Sequence, residues 1–272
     1  MGKFDGILFV TDLDGTLLND DKKISKENKQ AIKYFEDEGG LFTFITGRIP
    51  FGTRMILEQF VPKIPFGCMN GGGIYDYSEK KLLWCKTLPK SAFEIVEFVD
   101  KNFPDMGIEL TSAERSFFHR KNVYTEEHRL MELFDDIKCH YSEIKEDIVK
   151  IIFIDEASKM PALISAIQKH PKFSEFYFVA SDPKYYELLP KDSNKGNLLI
   201  KMAELLGVDI KRTISVGDND NDVLMLKTAG VGFAVSNASD KAKQAADFIT
   251  VSNEEHAIAK IIDDLEKGKF KI

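Results

Sequence analysis

The sequence predicts an α/β fold: a doubly wound, mostly parallel, Rossmann-like core sheet with an α+β domain inserted in it. Three observations predict it. Short apolar runs alternate with helical periods at both ends of the chain, the pattern of a parallel sheet with right-handed crossovers. Several runs end in clusters of Asp, Thr, Gly and Asn, and open parallel sheets bind ligands at such strand ends. In the middle the rhythm changes to hairpins mixed with helices, which suits a largely antiparallel sheet.

The first element is the apolar run 7–10, short, rich in large and β-branched residues and closed by turn chemistry, hence a buried strand. It leads into Thr11-Asp12-Leu13-Asp14-Gly15-Thr16-Leu17-Leu18. Asp12 and Asp14 are two apart, so a still-extended backbone projects both to one side with Leu13 turned away, and Gly15 permits the turn that follows. Residues 25–38 read as a helix capped by Ser25, striped by Ala31, Ile32 and Phe35 and stopped by Gly39-Gly40. Run 41–45 is a second strand, ending in Thr46-Gly47-Arg48; helical residues follow to about Phe60. Run 66–69 is a third strand, ending in Asn70-Gly71-Gly72-Gly73. These glycines lack the P-loop lysine and a following helix, so they read as a hinge rather than a phosphate cradle.

Then come a hairpin (74–77, 82–86), a helix (91–103), paired strands (108–112, 117–122), a helix (125–134), a strand (148–154), a helix (160–170) and strands at 176–180 and 185–189. The α/β rhythm resumes with a helix at 195–206 stopped by Gly207. A strand at 213–216 ends in Gly217-Asp218-Asn219-Asp220-Asn221-Asp222, and a helix runs to about Thr228. Strand 231–235, helix 240–246, strand 248–251 and helix 254–266 follow. The core is expected at residues 1–83 and 185–272, with the inserted domain at 84–184.

Composition narrows the function. With 43% hydrophobic and 30% charged residues among 272, the chain can bury a proper core. A net charge of −7, with only a small lysine cluster at 267–271, argues against nucleic acid or an anionic membrane as partner. Cys68, Cys85 and Cys139 show no C-x-x-C spacing and suit free thiols in a reducing cytosol. There is no signal-peptide pattern and no apolar run of membrane-spanning length. A cytoplasmic protein is expected, as a monomer or weak homodimer.

Four polar clusters fall at strand ends or helix starts of one core: Asp12/Asp14, Thr46-Gly47-Arg48, Lys195 and Gly217 to Asp222. Each has an ordinary structural explanation. Thr46-Gly47 suits a strand-end turn, Asp222 suits a helix first turn, and Lys195 alone reads as a surface lysine, although a cation at a helix start opposes the macrodipole. His119, His128 and His140 lack metal-ligand spacing and read as surface or cap residues; Trp84 and the phenylalanines read as core. Together the clusters supply what phosphoryl transfer needs: a nucleophile, carboxylates for a metal, donors for the phosphoryl oxygens and a fixed cation.

These residues resemble the four motifs of the haloacid dehalogenase superfamily: Asp12-Leu13-Asp14-Gly15-Thr16, Thr46, Lys195, and Gly217-Asp218-x-x-Asn221-Asp222. Thr46-Gly47-Arg48, Asn70-Gly71-Gly72, the insertion after the third core strand, and Glu187-Leu188-Leu189-Pro190 through Lys195-Gly196 look like its Cof-type branch, mostly metabolite phosphatases with a large α/β cap. Glu254-Glu255-His256-Ala257 departs from the acidic-Gly-Val sequence frequent there. The resemblance implies that Asp12 is the nucleophile, and that Asp14 protonates the leaving oxygen and then activates water. It implies Mg²⁺ on Asp12, the Asp14 backbone carbonyl and Asp218. It further implies phosphoryl contacts from Thr46 and the Gly47 amide, a contact of Asn221 with the phosphoryl group or the metal shell, neutralisation by Lys195, and support from Asp222 and Asn70. Arg48 is expected to reach ligand or cap. Two like charges about 4 Å apart cost about 4 kcal/mol at an effective dielectric near 20, so carboxylate attack on a phosphate dianion requires such cations.

The expected activity is therefore Mg²⁺-dependent hydrolysis of small phosphorylated metabolites, sugar phosphates first and pyridoxal phosphate or other cofactor phosphates next. The inserted domain is large enough to cover the mouth of the crevice and exclude water and phosphoproteins. Rival readings are a phosphomutase, a dehalogenase proper, for which Asp14 is unnecessary, and a receiver-like phosphoacceptor, which lacks a counterpart of Asp14 and any such insertion.

Overall fold

The computed structural model describes residues 2–272. The chain runs through β1 (Leu8–Thr11), α1 (Lys26–Asp37), β2 (Leu41–Phe44), α2 (Arg54–Leu57), β3 (Phe66–Cys68), β4 (Gly73–Asp76) and β5 (Lys81–Cys85). Next come α3 (Ala92–Asn102), β6 (Gly107–Ser112), β7 (Ser116–Arg120), α4 (Val123–Glu132), β8 (Ile148–Ile154), α5 (Met160–Gln168), β9 (Phe176–Asp182) and β10 (Tyr185–Pro190). Then follow α6 (Lys195–Leu206), β11 (Thr213–Gly217), α7 (Val223–Thr228), β12 (Val231–Ala234), α8 (Asp240–Ala245), β13 (Phe248–Ile249) and α9 (Ala257–Glu266).

The fold is mixed α/β, with a parallel core sheet and a separate antiparallel sheet. The chain forms two compact units. The first holds the chain up to Gly47, Thr53–Trp84 and Asn194–Ile272. Its main sheet has the order β13-β12-β11-β1-β2, parallel throughout. β1 is buried along its whole length, as a parallel strand covered on both faces must be. On one face Leu8 and Val10 pack with Ile45, Leu198, Leu199, Met202 and Met225. On the other, Phe9 meets the rings of Phe35 and Phe42. Registers Thr11↔Val216 and Thr11↔Phe44 bring the carboxyl ends of β1, β11 and β2 to one edge. An antiparallel ribbon β3-β4-β5 lies beyond, bridged to the end of β2 through Ile45 and Gly67.

The second unit holds Arg48–Gly52 and Cys85–Ser193. Its antiparallel sheet has the order β7-β6-β8-β10-β9. One face buries Ile108, Leu110, Ile151, Phe153 and Leu188 against α3 and α5 residues such as Ile95, Val99, Leu163 and Ile167. The alternate positions Glu109, Thr111, Lys150 and Glu187 are buried polar residues.

Four details depart from the sequence reading. Residues 185–190 do not return to the core: β10 pairs antiparallel with β8 and β9, so the chain re-enters the first unit at Asn194 rather than at 185. Residues 48–60 are not one helix, because Pro50 and Gly52 lie in a 3₁₀ turn, Pro50–Thr53, ahead of the single turn of α2. The last helix starts at Ala257, since His256 is left-handed (φ 63°) after a 3₁₀ turn, Asn253–Glu255. Gly71 serves a close approach within the first unit: at φ 100°, a Cβ there would lie 2.3 Å from the Asn194 backbone, at the start of α6.

Candidate active site

Lys195 explains the site from its centre. Asn194 caps α6 by accepting the Asn197 amide (2.8 Å), which sets Lys195 as the first helical residue. The side chain is 1% exposed at the positive end of the helix, a doubly unfavourable place for an ammonium. Two carboxylates compensate: Nζ donates to Asp12 Oδ1 (2.7 Å) and to Asp222 Oδ1 (2.6 Å). Burial alone would lower its pKa, but Asp12 and Asp222 hold it above the ordinary lysine value.

The three aspartates have different surroundings. Asp222 is fully engaged, since its Oδ2 also accepts the Asp218 and Asn219 amides, both at 3.0 Å. Asp12 follows β1 directly, its amide bonded to Val216 O (2.9 Å). Asp218 follows β11, and its Oδ1 accepts the Thr16 hydroxyl (2.8 Å). Gly15 (φ 76°) makes room for it, because a Cβ there would lie 2.6 Å from Asp218 Oδ2.

Charge counting supports the cation. Three carboxylates against one ammonium leave the buried cluster with excess negative charge. Burial, with Asp222 and Asp218 nearby, pushes Asp12 well above the usual carboxylate range despite Lys195. Burial and then Asp222 push Asp218 up to about 6. Carboxylate oxygens of Asp12, Asp218 and Asp222 lie within 4.8 Å of one another, an all-oxygen donor set that suits a hard divalent ion. With Asp222 committed to Lys195 and two amides, Asp12 and Asp218 are the carboxylates fitted to hold it.

The phosphoryl-binding candidates also converge. The Thr46 amide donates to Gly67 O (3.0 Å) and its carbonyl accepts the Asn70 amide (3.1 Å). A Cβ on Gly47 would lie 3.0 Å from the Asn70 side chain. Asn221 Nδ2 donates to Asn70 Oδ1 (3.0 Å), joining the end of β3 to the loop after β11, while the buried Asn221 Oδ1 has no partner. Met69 and Asn70 are both left-handed (φ 56° and 50°), strain stored where the backbone delivers these groups.

The remaining candidate residues have other partners. Asp14 is ion-paired to Lys22 (2.9 Å), a residue with no sequence signal. Arg48 takes the second of its two expected partners: it belongs to the second unit, where it pairs with Glu132 of α4 (2.9 Å), both largely buried. His128 and His119 are buried rather than surface histidines, paired with Glu109 (2.8 Å) and Asp100 (2.9 Å). His140 does cap a turn, accepting the Ser142 amide. The cysteines are free, and among the described residues no helix is long and apolar enough to cross a membrane.

A family model described as haloacid dehalogenase-like hydrolase matches residues 9–262. Two relatives from Bacillus subtilis (strain 168) carry the name 5-amino-6-(5-phospho-D-ribitylamino)uracil phosphatase. One is 30% identical, covering 94% of this chain and 94% of its own. The other is 29% identical, covering 95% and 98%. A solved haloacid dehalogenase-like hydrolase from Bacteroides thetaiotaomicron superposes with a TM-score of 0.82 at 25% identity, covering 97% of this chain and 100% of its own.

Proposed function

The chain belongs to the haloacid dehalogenase-like hydrolases and is a phosphatase, and from that premise we propose that it hydrolyses small phosphorylated metabolites through a phosphoryl-Asp12 intermediate, with Mg²⁺. The observation that carries this reading is the Lys195 ammonium shared by Asp12 and Asp222 in a buried cluster with Asp218. It holds the nucleophile at a strand end and keeps a cation where phosphate charge must be offset. An Asp12 oxygen forms a bond to phosphorus as the ester P–O bond breaks, and Asp14 gives its proton to the leaving oxygen. Asp14 then takes a proton from water as water attacks phosphorus, and the Asp12–phosphorus bond breaks to release phosphate. Thr46, the Gly47 amide and Asn221 contact the phosphoryl oxygens. Mg²⁺ held by Asp12, Asp218 and the Asp14 carbonyl would supply Lewis-acid neutralisation of the phosphate dianion.

The favoured substrates are sugar phosphates, followed by pyridoxal phosphate and other cofactor phosphates. The two Bacillus relatives, named for a phosphorylated ribityl compound, support a polyol phosphate. Free thiols agree with a cytoplasmic setting. Quenching turnover of a generic aryl phosphate in acid should trap a base-labile acyl phosphate, absent from Asp12→Asn, and chelation should stop turnover until Mg²⁺ is restored. Full activity in excess chelator would overturn the metal assignment.

A further inference from the structure

The loops that carry Asp12 and Asp218 are joined by a third loop, residues 235–239 after β12. Backbone bonds attach it to the Asp218 loop: the Val235 amide donates to Gly217 O (3.3 Å) and the Ser239 amide to Asp218 O (2.8 Å). The Ser239 hydroxyl adds a bond to Asp220 Oδ1 (3.1 Å). The Asn237 side chain reaches the other way, and its Nδ2 donates to Gly15 O (2.9 Å).

The orientation of that side-chain amide is determined by its second partner. Asn237 Oδ1 accepts the Asn253 backbone amide (3.1 Å), and a backbone N–H can only donate. The Nδ2 end is therefore the one turned to Gly15 O. Asn253 is itself 5% exposed and is tied to the same first-motif segment, its Nδ2 donating to Leu18 O (3.1 Å).

Gly15 is where such a hold has a consequence. Its backbone, at φ 76°, comes so close to the Asp218 carboxylate that a Cβ would lie 2.6 Å from Oδ2. The next residue, Thr16, is fully buried and donates its hydroxyl to Asp218 Oδ1 (2.8 Å). Residues Gly15 and Thr16 thus lie against both oxygens of Asp218, and Asn237 holds the peptide between them. Without an ion, the Asp12, Asp218 and Asp222 carboxylates repel one another, and Lys195 offsets only part of this. A brace that keeps the loops together in that state lowers the ordering cost of binding an ion.

We propose that Asn237 is a positioning residue for the divalent-ion site, bracing the turn of Gly15 and Thr16 against Asp218 so that the Asp12 and Asp218 carboxylates stay at ion-holding distance. This rests on the reading of those two carboxylates as the metal ligands.

The test titrates Mg²⁺ alone into the metal-free full chain by calorimetry, and follows chemical denaturation of the same proteins in excess chelator. Asn237→Ala should raise the Mg²⁺ Kd about 3-fold or more, the scale of one net hydrogen bond. Ser236→Ala, a change in the same loop, should leave Kd unchanged. Asp218→Asn should weaken binding more than Asn237→Ala does. A lower denaturation midpoint for Asn237→Ala in chelator with an unchanged Kd marks a merely structural bond and overturns the proposal, as does an equal rise of Kd in Ser236→Ala. If Asp218→Asn loses affinity while Asn237→Ala keeps it, only the role of Asn237 fails. If Asp218→Asn binds Mg²⁺ as the native chain does, the ion lies elsewhere; the metal reading then fails and takes this proposal with it.

Discussion

Lys195 and Asp222 show how one buried residue pair divides the labour of a site. Asp222 receives Lys195 and two backbone amides, so it orients the lysine and shapes the loop after β11. Removing one partner of a buried charge pair leaves the other uncompensated, at a cost of about 3–5 kcal/mol. Lys195→Met should therefore lose about that much in chemical denaturation without metal. Adding Asp222→Asn should return part of the loss, a coupling read from a double-mutant cycle. Additive losses in that cycle would show that the two residues are not energetically linked. The carboxylates of this cluster were legible in the sequence because they follow short apolar strands in motif order. Lys22 was not, since one lysine in a polar turn looks like any other and only the folded hairpin aims it.

Elements were legible to the degree that their signals are local. Helix α6 reads correctly from Lys195 to Leu206 because Gly207 ends it in a left-handed cap. Strand β8 reads correctly because Ile148–Ile154 is almost wholly apolar. The sheet to which β10 belongs could not be read from its own residues, because its pairing with β8 is settled by partners far off in sequence. The same holds for Arg48, whose partner Glu132 lies on α4. Helix α4 meets β6 through His128 and Glu109, and their charges give that docking a pH dependence. Burial opposes the charged imidazole, but Glu109 overcomes it and raises the His128 pKa; Tyr185, Glu132 and Lys150 also face the ring. That contribution is full below the ordinary histidine value of about 6.5 and is lost as pH rises through the raised folded value. Burial likewise opposes the Glu109 carboxylate, but His128 and Lys150 bring its pKa down, so its share is lost only as pH falls through the depressed value. Amide exchange in β6 should accelerate as pH climbs past the His128 titration, beyond the intrinsic base-catalysed rise. His128→Gln should remove that extra acceleration, and an identical profile in the variant would refute the linkage.

For the molecule as a whole, the acidic cluster couples stability to pH, and the proposed metal would couple to it as well. Asp218 titrates at about 6 in the folded chain, above the ordinary aspartate value, so the folded state binds more protons between the two. Stability therefore falls as pH rises through that window and stays lowered above it, where the carboxylates are charged. A divalent ion competes with protons for the same oxygens, so Mg²⁺ should raise Tm more at about pH 7.5 than at about pH 5. Calorimetry at the two pH values checks this, and equal shifts would count against it. The central place of β1 has a further consequence, in time rather than in energy. Its register runs Leu8↔Thr213 on one side and Leu8↔Leu41 on the other. During synthesis β2 is made almost at once, whereas β11 is made only after the whole second unit. The ribosome thus releases Asp12 early and its partners Lys195, Asp218 and Asp222 late, so a growing chain carries Asp12 through the synthesis of the whole second unit before that cluster can form.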